Sequence, residues 1–160
     1  MESYRIQLFL HIAAAIVAFG ATFSYPFLQG FAERQGTGAT RFALRAIQRI
    51  EKFLVYPGAI LVPLFGIGLI FDDQTGYSDD FPVWLMIAIA WYVLAFGTAV
   101  TVQRNNLKKG LEALEGAPDN APLPEAYVPI GKRMQMVGGL LGISVIGIAF
   151  LMVWGGEGGF

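Results

Sequence analysis

Apolar and polar positions alternate along this chain in long blocks: four apolar stretches, 6–28, 53–71, 81–102 and 134–154, are separated by three polar connections. A helix of about 20 residues crosses a hydrocarbon core of about 30 Å, so the pattern predicts an all-α, four-helix transmembrane bundle forming a single membrane domain over 1–160. Within the first stretch a helical wheel gathers Tyr4, Gln7, His11, Ala14, Ala15, Ala18, Thr22 and Tyr25 on one side and Phe9, Ile16, Phe23 and Phe27 opposite. Small residues let helix backbones approach, and polar side chains seek partners inside a bundle. The histidine face is therefore expected to look inward, with Ala14 and Ala18 at helix contacts, and the phenylalanine face to look at lipid. The apolar run outlasts the roughly 7–15 residues of a signal-peptide core, and Glu2 beside Arg5 makes a poor basic leader, so a retained helix is expected.

The connections carry their own patterns. After Gln29 the chain is expected to turn through Gly30, Glu33, Gly36 and Gly38, and a helix over 39–55 then extends the second span into the cytoplasm. Its Arg41, Arg45 and Arg49 recur every four residues and, with Lys52, suit anionic lipid headgroups, a phosphate ligand or a partner. Pro57, Gly58, Pro63, Gly66 and Gly68 predict a kink in span two. The third connection reads as helix over 103–114 and then, through Pro118, Pro122, Pro124 and Pro129, as an extended segment suited to a partner. In span four, Gly138 and Gly142 form a small-xxx-small step for close helix contact.

Composition agrees with the pattern: 55% hydrophobic and 14% charged, against about 25% charged in soluble domains. The net charge of −1 hides a segregation, since ten of the eleven Lys and Arg lie in the first and third connections while the second, Asp72–Asp80, holds four aspartates and no base. The tail adds only Glu157. The positive-inside rule then makes both basic connections cytoplasmic and puts both termini on the outer, periplasmic side. The absence of cysteine removes disulfides, iron–sulfur clusters and thiol nucleophiles. Nothing points to nucleic acid.

Candidate chemistry centres on His11, the one histidine, lying about 8 Å inside the outer end of span one at 1.5 Å per residue. Met86 sits at similar depth in span three, Met152 near the outer end of span four, and Trp91 deep enough to line a site. A histidine and a methionine across a bundle could hold haem or copper; alternatively His11 hydrogen-bonds within the bundle to Gln7, a tyrosine or a backbone carbonyl. The spans offer no nucleophile with a base and an orienting partner, so catalysis is not expected.

Phe9-Leu10-His11-Ile12 in the first span, Tyr56-Pro57-Gly58 and Phe65-Gly66-Ile67-Gly68-Leu69 in the second, a tryptophan soon after the outer loop, and Phe150-Leu151-Met152-Val153 before the last glycines form a set. It resembles the predicted integral membrane proteins catalogued as domain of unknown function 2269. That resemblance implies a bacterial inner-membrane protein of four helices, with His11 at the family's early histidine, and no activity. The family is in turn distantly similar to bacterial copper-resistance membrane proteins, whose tryptophan-glycine pattern is here Ala18-Phe19-Gly20. The expectation is a non-enzymatic protein acting by helix association in the lipid bilayer, as a homo-oligomer or accessory subunit. The alternatives are a haem or copper redox protein and a small-solute transporter working through the kinked span.

Overall fold

Four long helices dominate the computed structural model, which describes residues 2–156; Glu157 lies outside them. Each is long and apolar enough to cross a membrane: Glu2–Gln35, Thr37–Ile70, Val83–Ala113 and Tyr127–Gly156. At 1.5 Å per residue they run about 45–51 Å, well beyond a hydrocarbon core of about 30 Å. The surplus lies at the basic end. The first helix comprises α1 (Glu2–Gly20), a tight 3-10 turn over Ala21–Ser24, and α2 (Tyr25–Gln35). The second comprises α3 (Thr37–Ile50), a π-helical turn Glu51–Val55, and α4 (Tyr56–Ile70). The third comprises α5 (Val83–Thr98), a second π turn Ala99–Gln103, and α6 (Arg104–Ala113), and the fourth is α7 (Tyr127–Gly156).

The turn between the first two helices is shorter than the glycine-rich stretch suggests. Helix α2 runs through Gly30 and Glu33 to Gln35, and the chain reverses at Gly36 alone, whose φ of 103° suits glycine. Two hairpins result, with α1 packed along α4 and α5 along α7. Small residues make both seams. A methyl group added to Gly58 would stand 2.7 Å from the Ala18 Cβ, and Ala18 is fully buried. Trp84 and Trp91 each lie flat against a glycine of α7, Gly155 and Gly147 respectively, with no space for a Cβ. Trp84 is thus packed into a helix seam, edge-on to Tyr77 at 5.7 Å.

Beyond the membrane the two hairpins are joined. Leu44 and Ile47 of α3 meet Leu107 of α6, Leu114, and Tyr127 and Met134 of α7 in a buried apolar cluster. The proline-rich connection folds back onto this cluster. Thr37 N–H donates to the Ala121 carbonyl at 3.2 Å and Gly38 N–H to that of Asp119 at 3.0 Å. Arg41 completes the attachment: its Nη2 donates to the Leu114 and Ala117 carbonyls, each at 2.6 Å, and its Nη1 pairs with Asp119 at 2.6 Å. With its side chain only 19% exposed, Arg41 clamps the loop. Arg45, Arg49 and Lys52 remain exposed.

Candidate functional site

Between the hairpins, in the membrane-spanning part, α4 scarcely meets α5 and α1 scarcely meets α7. The gap is a cavity of about 190 Å³. Its walls follow from helical periodicity: positions 11, 15, 19, 22, 25 and 29 of the first helix recur every three or four residues and all line it. Ala59, Val62, Ala95, Phe96, Ala99, Leu141 and Val145 keep most of the wall apolar. The two ends differ in chemistry.

At the acidic-loop end, His11 and Met152 line the cavity. His11 Nδ1 lies 2.9 Å from the Val62 carbonyl. A carbonyl only accepts, so Nδ1 carries a proton and donates it to Val62. The ring rests on Gly66, where an added methyl would come within 3.3 Å of Cε1. One turn away, Pro63 has no N–H for the carbonyl of Ala59, its i−4 partner in an α-helix. The Tyr92 hydroxyl of α5 donates to that carbonyl instead, which is one of the few polar links between the hairpins within the membrane.

The basic end is where polar groups collect. Glu51, Gln29, Gln103, Gln135, Tyr25 and Tyr56 all reach the cavity wall there. Gln29 and Gln135 are engaged with Glu33, which accepts from Gln29 Nε2 at 2.8 Å, Tyr127 Oη at 2.8 Å and Gln135 Nε2 at 3.1 Å. Glu51 is 9% exposed and accepts one long hydrogen bond, from Tyr56 Oη at 3.4 Å. No cationic nitrogen lies within 4.0 Å of its carboxylate among the described residues. Gln103 Nε2 donates to the Met134 carbonyl at 3.2 Å, while Gln103 Oε1 and the Tyr25 hydroxyl are buried with no partner.

Both π turns sit at this end, and each places a polar residue on the wall. Glu51 opens one and Gln103 closes the other. The first ends at Val55, two residues before Pro57, whose missing N–H already breaks α-helical bonding, and Tyr56 N–H reaches Glu51 O in the wider i→i+5 bond. The second comes after Thr98 and includes Thr101, whose hydroxyls bond back to the carbonyls of Leu94 and Gly97, a pattern that bends helices. An extra residue in one turn rotates the next helical segment about its axis, so the same helix buries an apolar face in the extramembrane cluster and turns a polar residue toward the cavity.

The residues anticipated from the sequence divide accordingly. His11 and Met152 share the cavity, whereas Met86 is 57% exposed and lines no part of it. Trp91 belongs to the seam with Gly147 and not to the cavity wall. Gly138 and Gly142 line the cavity, with Gln103 and Phe23 respectively 3.6 Å from the position of an added Cβ, so they do not form a close helix contact. Ala18 is at a helix seam, and Ala14 is half-buried. No cluster of three or more His, Asp or Glu able to hold a metal occurs among the described residues. Glu51 and Glu33 were hidden in the sequence because both fall in basic connections; the signal that marks them is the recurrence of glutamine at 29, 103 and 135, just inside the basic ends of three spans.

Comparison with known proteins agrees with this architecture. No match was found among curated proteins or among solved structures. A family model described as "Predicted integral membrane protein (DUF2269)" matches residues 6–155, from the first turns of α1 to the end of α7. The chain therefore belongs to that family of integral membrane proteins, in which the seams, the cavity and its two polar ends all fall within the matched region.

Proposed function

We propose that this is a non-enzymatic, multi-pass protein of a bacterial inner membrane that acts by binding a small apolar molecule between its two hairpins. The observation that carries the reading is the cavity of about 190 Å³, apolar along most of its length and bounded by all four helices. An apolar cavity of about 150 Å³ accepts a molecule of benzene's size, so a ligand with a ring or a short alkyl chain fits. The basic ends belong to the cytoplasm by the positive-inside rule, with α1 and α7 ending on the outer side.

Association with further subunits or a second copy has less support. The small residues that suggested it are occupied within the chain: Ala18 against Gly58, and Gly138 and Gly142 on the cavity. The haem reading keeps His11 and Met152 but loses Met86, and the cavity is smaller than the roughly 300–1,000 Å³ of sites for drug-sized ligands, which haem exceeds.

The test is a ligand-observed NMR titration of hexanol with the protein in phosphatidylcholine nanodiscs, using empty discs as background. Saturable binding lost in Gly138→Leu, which fills the cavity beside Gln103, supports the proposal. A signal equal to that of empty discs refutes it.

A further inference from the structure

The basic end of the cavity holds buried acceptors whose hydrogen bonding is incomplete. Glu51 is a buried carboxyl group on the wall, with one long bond from Tyr56 Oη, Arg104 as the opposing charge that acts on it, and no cation within 4.0 Å among the described residues. Gln103 has its amide orientation fixed by the bond from Nε2 to the Met134 carbonyl, so the atom left without a partner is Oε1, which only accepts. The Tyr25 hydroxyl, also buried without a partner, has lone pairs to offer as well. A buried polar group without a partner costs about 1–3 kcal/mol, and more when charged. Two such atoms, Gln103 Oε1 and the Tyr25 hydroxyl, share this end of the cavity with the weakly bonded Glu51, so acceptor sites outnumber the donors that meet them.

We propose that the ligand of this cavity is a primary alkyl or aryl amine, its ammonium seated on Glu51, Gln103 Oε1 and the Tyr25 hydroxyl and its apolar part lying between the hairpins toward His11. An ammonium supplies three N–H donors and one positive charge, enough to serve Glu51, Gln103 Oε1 and a lone pair of Tyr25 and to stand opposite the Glu51 carboxyl in sign. An alcohol supplies one donor and no charge. A carboxylate or phosphate ester would face Glu51 with like charge. Lys52 does not fill the site: it is exposed, with Nζ 5.5 Å from the Phe53 ring centroid. Val55, Ala59, Ala95 and Phe96 supply the apolar wall beyond the head. This proposal rests on the binding reading above and adds the chemistry of the head group.

Hexylamine, hexanol and hexanoate share one chain and differ in head, so titrating each into the protein in phosphatidylcholine nanodiscs separates cavity from charge. Hexylamine is expected to bind about tenfold more tightly than hexanol, the worth of one charge-assisted hydrogen bond, and hexanoate more weakly than either. Glu51→Gln should abolish that preference by lowering hexylamine affinity more than hexanol affinity, and the saturable hexanol binding that remains shows that the variant is folded. Should Glu51→Gln lose hexanol binding as well, Gln103→Leu decides: weaker binding of the amine with hexanol unaltered upholds the site, and equal effects on both ligands overturn it. Equal affinity for hexylamine and hexanol in the wild type, with both lost in Gly138→Leu, would leave the cavity standing and overturn the amine. Failure of every ligand to saturate would overturn both readings.

Discussion

The bond from Tyr92 to the Ala59 carbonyl should be strongly coupled to Pro63, and the coupling can be measured. The Ala59 carbonyl loses its α-helical donor to the proline ring and takes the Tyr92 hydroxyl instead. Lipid offers no substitute, so Tyr92→Phe orphans an acceptor at a site where water is excluded. Hydrogen bonds between membrane helices average about 0.6 kcal/mol with a maximum near 1.7, and an orphaned buried carbonyl costs about 1–3 kcal/mol; a loss of about 1–1.5 kcal/mol is expected. In Pro63→Ala the new N–H at position 63 satisfies Ala59, and the same tyrosine substitution should then cost about 0.5 kcal/mol or less, the remainder of a redundant bond. The coupling in a double-mutant cycle is therefore about 0.5–1 kcal/mol. Equilibrium unfolding by steric trapping in bicelles reads all four proteins under one condition. Additive effects, within about 0.3 kcal/mol, would show that Tyr92 does not stand in for the missing proline donor and would refute the reasoning.

Other perturbations test other parts of the fold. Gly147→Ala drives a methyl into the face of Trp91 and should cost about 1–3 kcal/mol by overpacking, measurable as a lower unfolding midpoint with altered tryptophan fluorescence. Gly58→Leu should separate α1 from α4 more severely than Gly58→Ala, because the neighbour is Ala18 backbone as well as side chain; crosslinking between cysteines introduced on the facing helices would report it. Arg41→Ala removes every hydrogen bond from this side chain to the third connection and should make 114–126 the first site cut by protease, with helix content unchanged. If the loop stays resistant, the Thr37 and Gly38 attachments alone hold it.

How much of the fold was legible in the sequence depends on the kind of signal involved. The spans were open to reading because about 20 consecutive apolar residues have no other common explanation. The inward face of the first span was also legible, since His11, Ala15, Thr22 and Tyr25 recur at helical spacing and all reach the cavity. The polar end was not. Glu51 sits between Arg49 and Lys52, and a regular 100° wheel assumes a register that the π turn interrupts at that residue. Trp91 invited a cofactor role because the residue that receives it is a glycine in another span, and pairing across an interface leaves no trace in one sequence. Arg41 looked like a headgroup ligand for the same reason: its acceptors are backbone carbonyls more than 70 positions away.

The division into two hairpins bears on how the molecule is made. Each hairpin carries its own seam of small residues, Ala18 with Gly58 in one, Gly147 and Gly155 under the tryptophans in the other, so each has its internal contacts before the two meet. The two antiparallel units meet at the basic end through the cluster of Leu44, Leu107 and Tyr127. The acidic loop between them packs Tyr77 against Trp84 of the second hairpin and bonds Thr75 to Leu69 of the first. Two fragments divided within Asp72–Asp80 and produced together are thus a sufficient set of parts, and the cavity is formed only when the second hairpin closes on the first.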